Sequence, residues 1–90
     1  MDRIYLFHSP NTSRFCGGVF TEKDIAETWI NKNELSGVLT VYPINRAVYD
    51  WAIEKDFFRP VIEKHFSSEF KAGFSSASQE HYHYENGVLQ

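Results

Sequence analysis

The stretch SSASQEHYHYENG, residues 75–87, decides how the chain ends and so which kind of fold it closes. Its centre alternates strictly, which predicts a strand from Gln79 to Glu85. Successive side chains of a strand point to opposite faces, so His81 and His83 share one face while Tyr82 and Tyr84 share the other. Three readings fit that pattern: a metal or acid/base face, a polar recognition surface, or the solvent side of a strand whose tyrosines are packed. No Lys or Arg follows Lys71. Asn86-Gly87 is a hairpin-turn signal, although only three residues remain after it.

Toward the N-terminus, Arg3 to His8 reads as a strand. Ile4, Leu6 and His8 face one way and Tyr5 and Phe7 the other, so both faces are apolar and the strand should be central or covered. Ser9 to Arg14 has turn composition. Phe15 to Phe20 resumes strand character, with Gly17-Gly18 marking a bulge or close backbone approach, and the two runs form a hairpin. Gly37 to Tyr42 is a further strand stopped by Pro43, with Leu39 and Val41 on one face and Val38, Thr40 and Tyr42 on the other.

Three helices fit between these strands. Thr21 is the expected cap of the first, with Asp24 as an acidic variant of the capping box. Ile25, Ala26, Trp29 and Ile30 share its apolar face, and Asn31 to Asn33 end it. Asn45 is the expected cap of a second helix running to Glu54, with Val48, Trp51 and Ala52 inward. Ser67 caps a short third helix, Ser68 to Phe74. The order is ββαβααβ: one α+β domain over residues 1–90, a three- or four-stranded sheet with two or three helices packed on one face. Its expected core is Ile4, Leu6, Val19, Ile25, Trp29, Leu39, Val41 and Trp51.

A chain of 90 residues buries about 60–65% of its unfolded surface, enough for one modest core. Aromatic residues make up 17% of it, a means of building a core from few side chains or of supplying interface anchors. The net charge is −3 and the cations are scattered, which argues against nucleic acid as a partner. Cys16 stands alone, so no intramolecular disulfide forms. No run approaches a signal segment or a membrane span, so a cytoplasmic location is expected, and the Asn11-Thr12-Ser13 sequon carries no meaning there.

Each chemical reading meets a plainer one. His81 and His83, joined by His8 and Glu85 if the last strand pairs beside the first, form a metal set; a bare His-x-His has no metal specificity, and no metal or cofactor is expected. Cys16 beside Gly17-Gly18, with His8 as base, is a nucleophile arrangement; a lone Cys is more often a small hydrophobe filling space. Asp50 and Glu54, one helical turn apart, pair for acid/base work or simply face solvent. Gly17-Gly18 lacks the Lys and the further glycines of a phosphate loop. No catalytic residue is assigned, and an enzyme is not expected.

The remaining reading is a protein-binding surface. Seven aromatic residues lie between Phe57 and Tyr84, where regular structure is weakest. The expected surface combines Glu80, His81, His83 and Glu85 with Phe57, Phe58 and Phe66, acidic groups beside rings, suited to a basic protein.

The segments GVFTEKDIAETWI, LSGVLTVYP, VYDWAI and FSSASQEHYHYENG together resemble an uncharacterised family of small bacterial single-domain proteins, over nearly the whole chain from Arg3 to Gly87. The resemblance implies a bacterial cytosolic source and transfers no catalytic residue. The stretches SPNTSRFC and EKHFSS fit it least. Small acidic domains without catalytic motifs often serve as immunity proteins that occlude a cognate toxin. That role, or a regulatory or adaptor module, is the expected function, and a His-based metal protein comes after both.

Overall fold

The computed structural model describes residues 2–10 and 15–90. Strands β1 (Arg3–His8) and β2 (Gly18–Phe20) precede helix α1 (Lys23–Lys32). Strand β3 (Gly37–Pro43) leads to α2 (Val48–Glu54), a 3-10 turn (Glu63–Phe66) and α3 (Ser68–Ala72). The chain closes with β4 (His81–Glu85) and β5 (Val88–Leu89). One antiparallel sheet contains all of the strands, in the order β2-β1-β3-β4-β5.

The sheet thus has five strands rather than three or four, and the order ββαβααβ gains a final β. The reason lies in Asn86-Gly87. Both residues have positive φ, 51° and 84°, the backbone of a tight hairpin turn that Asn and Gly tolerate. Leu89 then pairs with Tyr84 and Val88 with Glu85, so even a three-residue tail is long enough to add a strand. The turn is anchored from below. The Gly87 N–H donates to the Leu35 carbonyl at 2.8 Å, and the Asn86 N–H donates to Ser36 Oγ at 3.0 Å.

Register decides which face is the core. Tyr5 lies opposite Val41 and Phe7 opposite Leu39, and this row continues to Phe20 on β2 and Tyr82 on β4. Helix α1 covers it with Ala26 and Ile30, both fully buried, and with Trp29, whose ring meets Phe7 edge-on at 5.6 Å. The core is therefore Tyr5, Phe7, Ala26, Ile30, Leu39, Val41 and Tyr84, with Trp29 partly buried against it. Leu39 and Val41 are where the expectation put them. Ile4 and Leu6 are half-buried on the opposite face, and Val19 and Ile25 are exposed. A strand apolar on both sides does not announce which side a helix will cover, and the larger rings of Tyr5 and Phe7 bury more area.

Two expected caps are also displaced. Glu22 and Ala47 hold the N-cap positions of α1 and α2, without a side-chain cap, in place of Thr21 and Asn45. Asn45 is instead in the left-handed region, φ 62°, where its short polar side chain is tolerated. Ser67 does cap α3, accepting from the Phe70 N–H at 3.1 Å. The second strand is shorter than expected, Gly18–Phe20 rather than Phe15–Phe20, and the last one starts at His81 because Gln79 turns back on Ser76. Most of the expected turn at Ser9–Arg14, and the Asn11 sequon with it, lies outside the described residues.

A second cluster forms away from the sheet. Tyr49, buried on α2, meets Phe58, Phe70 and Phe74 at ring distances of 5.8, 6.3 and 5.6 Å. Trp51, expected in the core, is half-buried and pairs with Phe57 at 5.4 Å. The chain is accordingly long, 45 × 29 × 20 Å, with a radius of gyration of 14.5 Å against about 12 Å for a compact domain of this size.

Candidate functional site

The alternation of β4 splits the expected binding residues between two faces. Glu80, Tyr82 and Tyr84 fall on the side of α1, and His81, His83 and Glu85 on the other. On the helix side a ladder of polar contacts ties β4 down. Arg3 donates to Glu80 at 3.2 Å, and the Tyr82 hydroxyl also donates to Glu80. Lys23 lies 3.9 Å from the centre of the Tyr82 ring and 3.9 Å from Glu27, which accepts from the Tyr84 hydroxyl at 2.6 Å. Tyr82 is pushed up to about 12, first by its bond to Glu80 and then by burial. Burial, followed by the bond to Glu27, raises Tyr84 as well. Both phenols therefore stay protonated and act as donors.

At the end of this ladder a cleft of about 560 Å³ opens between the sheet and α2. Arg3, Val41 and Glu80 line one side, and Arg46, Trp51, Glu54 and Phe57 the other. Arg46 holds Glu54 by two parallel bonds of 2.8 and 2.9 Å, which lower the Glu54 carboxyl below its usual range and raise the guanidinium. Of the Asp50–Glu54 pair, Glu54 is thus engaged with Arg46 rather than with Asp50. The cleft brings together two of the expected residues, Glu80 and Phe57. Its chemistry is that of an amphipathic groove in which Arg3 pairs with Glu80 and Arg46 with Glu54.

The other expected rings part company. Phe58 is half-buried inside the second cluster, 4.8 Å from Phe74 and 5.1 Å from His65. Phe66 belongs with a stretch whose apolar side chains face outward: Phe57 is 51% exposed, Val61 69%, Ile62 50% and Phe66 56%. His65 holds this stretch in shape. Its Nδ1 accepts from the Val61 N–H at 3.1 Å and the Ile62 N–H at 3.5 Å, and its carbonyl accepts from the buried Tyr49 hydroxyl at 2.9 Å. Val61, Ile62 and His65 were missed in the sequence. The cue was there: apolar residues on both sides of a Pro60 that prevents a regular element.

The imidazoles do not converge. His81 and His83 meet edge-on at 5.3 Å, and His81 Nδ1 lies 2.7 Å from the Gln79 carbonyl. His8 is opposite Val38, whose other neighbour is His83, so a whole strand separates His8 from His83. Two strand spacings put their backbones about 10 Å apart. Among the described residues no group of three His, Cys, Asp or Glu is placed to hold a metal ion. Cys16 is half-buried and free, and His8 Nε2 is buried with no hydrogen-bond partner among the described residues, so that nitrogen does not engage the thiol.

These features define a small α+β domain, a five-stranded antiparallel sheet under one helix with an aromatic annex. Residues 4–90 match the family described as a domain of unknown function, DUF7710, and the chain belongs to that family. No curated protein and no solved structure matches it. Among the described residues, no helix is long and apolar enough to cross a membrane.

Proposed function

We propose that this domain is a protein-binding module that docks through residues 57–66 and the adjoining cleft. The observation that carries this reading is the outward presentation of Phe57, Val61, Ile62 and Phe66 on one ten-residue stretch. Leaving four large apolar side chains half or more in water is costly unless a partner covers them. The His65 and Tyr49 bonds beneath them hold the backbone, so little ordering entropy is lost on docking. Small size, an acidic balance of −3 and the cation-free end of the chain favour a basic partner. The narrower form of the proposal is an immunity protein in the bacterial cytoplasm that occludes a toxin domain. A regulatory or adaptor module would use the same surface.

Affinity capture with the purified domain, followed by mass spectrometry, tests the proposal when run beside a Val61→Ser/Phe66→Ser variant. A basic protein retained by wild type and lost from the variant is expected. A partner whose expression alone arrests growth, relieved by co-expression of this domain, selects the immunity role over the adaptor role. A partner held equally by both forms would move the interface elsewhere.

A further inference from the structure

The sheet has a second face, and its chemistry does not suit water. Reading across the registers, Val19, Leu6, Thr40 and His81 form one row, Ile4 and Tyr42 a second, and His8, Val38 and His83 a third. None of these residues is buried as a whole. Val19, His81 and His83 are exposed and the rest half-buried, whereas Tyr5, Phe7, Leu39, Val41 and Tyr84 beneath them are buried. An antiparallel sheet with one wet face carries polar residues there. Here the outward positions of β1 and β3 are Ile4, Leu6, Val38 and Tyr42, with Thr40 and His8 the exceptions, and α1 packs on the opposite side. A sequence apolar on both faces of β1 and β3 is built to be covered twice.

We propose that this face is covered by a second copy of the same chain, giving a two-fold dimer of sheet on sheet. The occupant follows from charge, shape and size. The rows contain no Lys, Arg, Asp or Glu; the carboxylate of Glu85 lies at the margin of this face. A basic partner gains nothing from such a surface, whereas an uncharged apolar centre meets its own copy without repulsion. Stacked antiparallel sheets are a common way of burying such faces, about 10 Å apart with side chains interleaved. Five strands about 4.8 Å apart, two to seven residues long, bring on the order of 1,000 Å² of surface together in the pair. That is the low end for a specific dimer, so association in the micromolar range is expected rather than an obligate dimer. The edge strands, β2 with three residues and β5 with two, are too short to offer a competing edge-to-edge contact.

Sedimentation or light scattering of the full chain across a dilution series tests this. Wild type should approach twice the 10.5 kDa chain mass as it is concentrated. Val38→Lys, on the middle strand of the face between His8 and His83, should raise the dissociation constant by at least about ten-fold, an anchor-sized loss. His83→Glu, whose site is exposed and whose folding is therefore safe, should weaken the dimer in the same direction and decides the matter if Val38→Lys unfolds. Phe66→Ser, on the separate docking stretch, should leave the dimer intact, so the two surfaces fail or survive independently. Wild type that stays monomeric at about 500 μM, far above a micromolar dissociation constant, would overturn the proposal. So would a dimer that neither face variant weakens.

Discussion

Replacing Gln79 should reveal how the most distinctive segment of the chain is held. Gln79 is 3% exposed, the one buried polar side chain among the described residues. Its Nε2 donates to the Val41 carbonyl at 3.1 Å, and its Oε1 accepts from the Ser76 N–H at 2.9 Å. It therefore pins the loop before β4 to the central strand. Gln79→Met keeps the length and removes both bonds, leaving two backbone groups without partners. Each orphaned buried group costs about 1–3 kcal/mol, and Ser76 is only half-buried, so about 2–4 kcal/mol is expected in total. In a domain of this size that lowers the melting temperature by about 10–30 °C. Gln79→Glu keeps the acceptor for Ser76 but sets an oxygen against the Val41 carbonyl. Burial and that carbonyl disfavour the ionised carboxylate and raise its folded pKa above the unfolded value of about 4.3. A raised acid is stabilised in its protonated form, so the deficit against wild type should be smallest near pH 4 and widen as pH rises toward 7. Urea melts of the three proteins at both pH values measure this. A Gln79→Met variant within about 0.5 kcal/mol of wild type, the range of ordinary surface changes, would refute the reasoning. So would a Gln79→Glu deficit independent of pH.

Three further outcomes follow from the same geometry. Ile30→Ala should cost about 2–5 kcal/mol as a core cavity, whereas Ile25→Ser on the outer side of the same helix should stay within about 0.5 kcal/mol in denaturant melts. Gly37→Ala would place a Cβ 2.2 Å from the His8 carbonyl oxygen, forcing β1 and β3 apart; circular dichroism should show loss of the fold or a drop of more than about 4 kcal/mol. Burial and the Glu27 bond raise Tyr84, so its contribution is complete below the unfolded phenol value near 10 and is lost as pH climbs through the higher folded value. Alkaline melts of wild type should therefore fall above about pH 10, and Tyr84→Phe should flatten that decline.

The fold class was legible because two periodicities were clean. Alternation placed β1, β3 and β4, and the spacing of Ala26, Trp29 and Ile30 placed α1. The inward face was not legible, because β1 is apolar on both sides and its partner helix, not its own pattern, selects the core. The fifth strand was hidden by its length: two residues have no periodicity, and only the positive φ of Asn86 and Gly87 brings them back onto β4. The annex around Tyr49 was equally opaque. Its rings come from α2, a loop, the 3-10 turn and α3, so no local pattern joins them.

The alternation that made residues 79–85 conspicuous also divides their roles. Glu80 belongs with Tyr82 and Tyr84 to a ladder that binds β4 to Arg3, Lys23 and Glu27, so its charge is spent inside the domain. Both partners of the Arg3–Glu80 pair are well exposed, which caps its worth at about 1 kcal/mol. Reversing Glu80 therefore perturbs the cleft wall without unfolding the chain, and a binding defect in Glu80→Lys would mix lost attraction with a shifted Arg3. Glu85 shares the outward face with His81 and His83 and lies beside Val88, away from that ladder. Charge reversal at Glu85 alone is consequently the cleaner probe of whether acidity at this end of the chain steers a basic partner, and salt should erase its effect on association rate. If Glu85→Lys associates as fast as wild type while Val61→Ser/Phe66→Ser does not bind, recognition is carried by the apolar stretch and the acidic end is only its solvated margin.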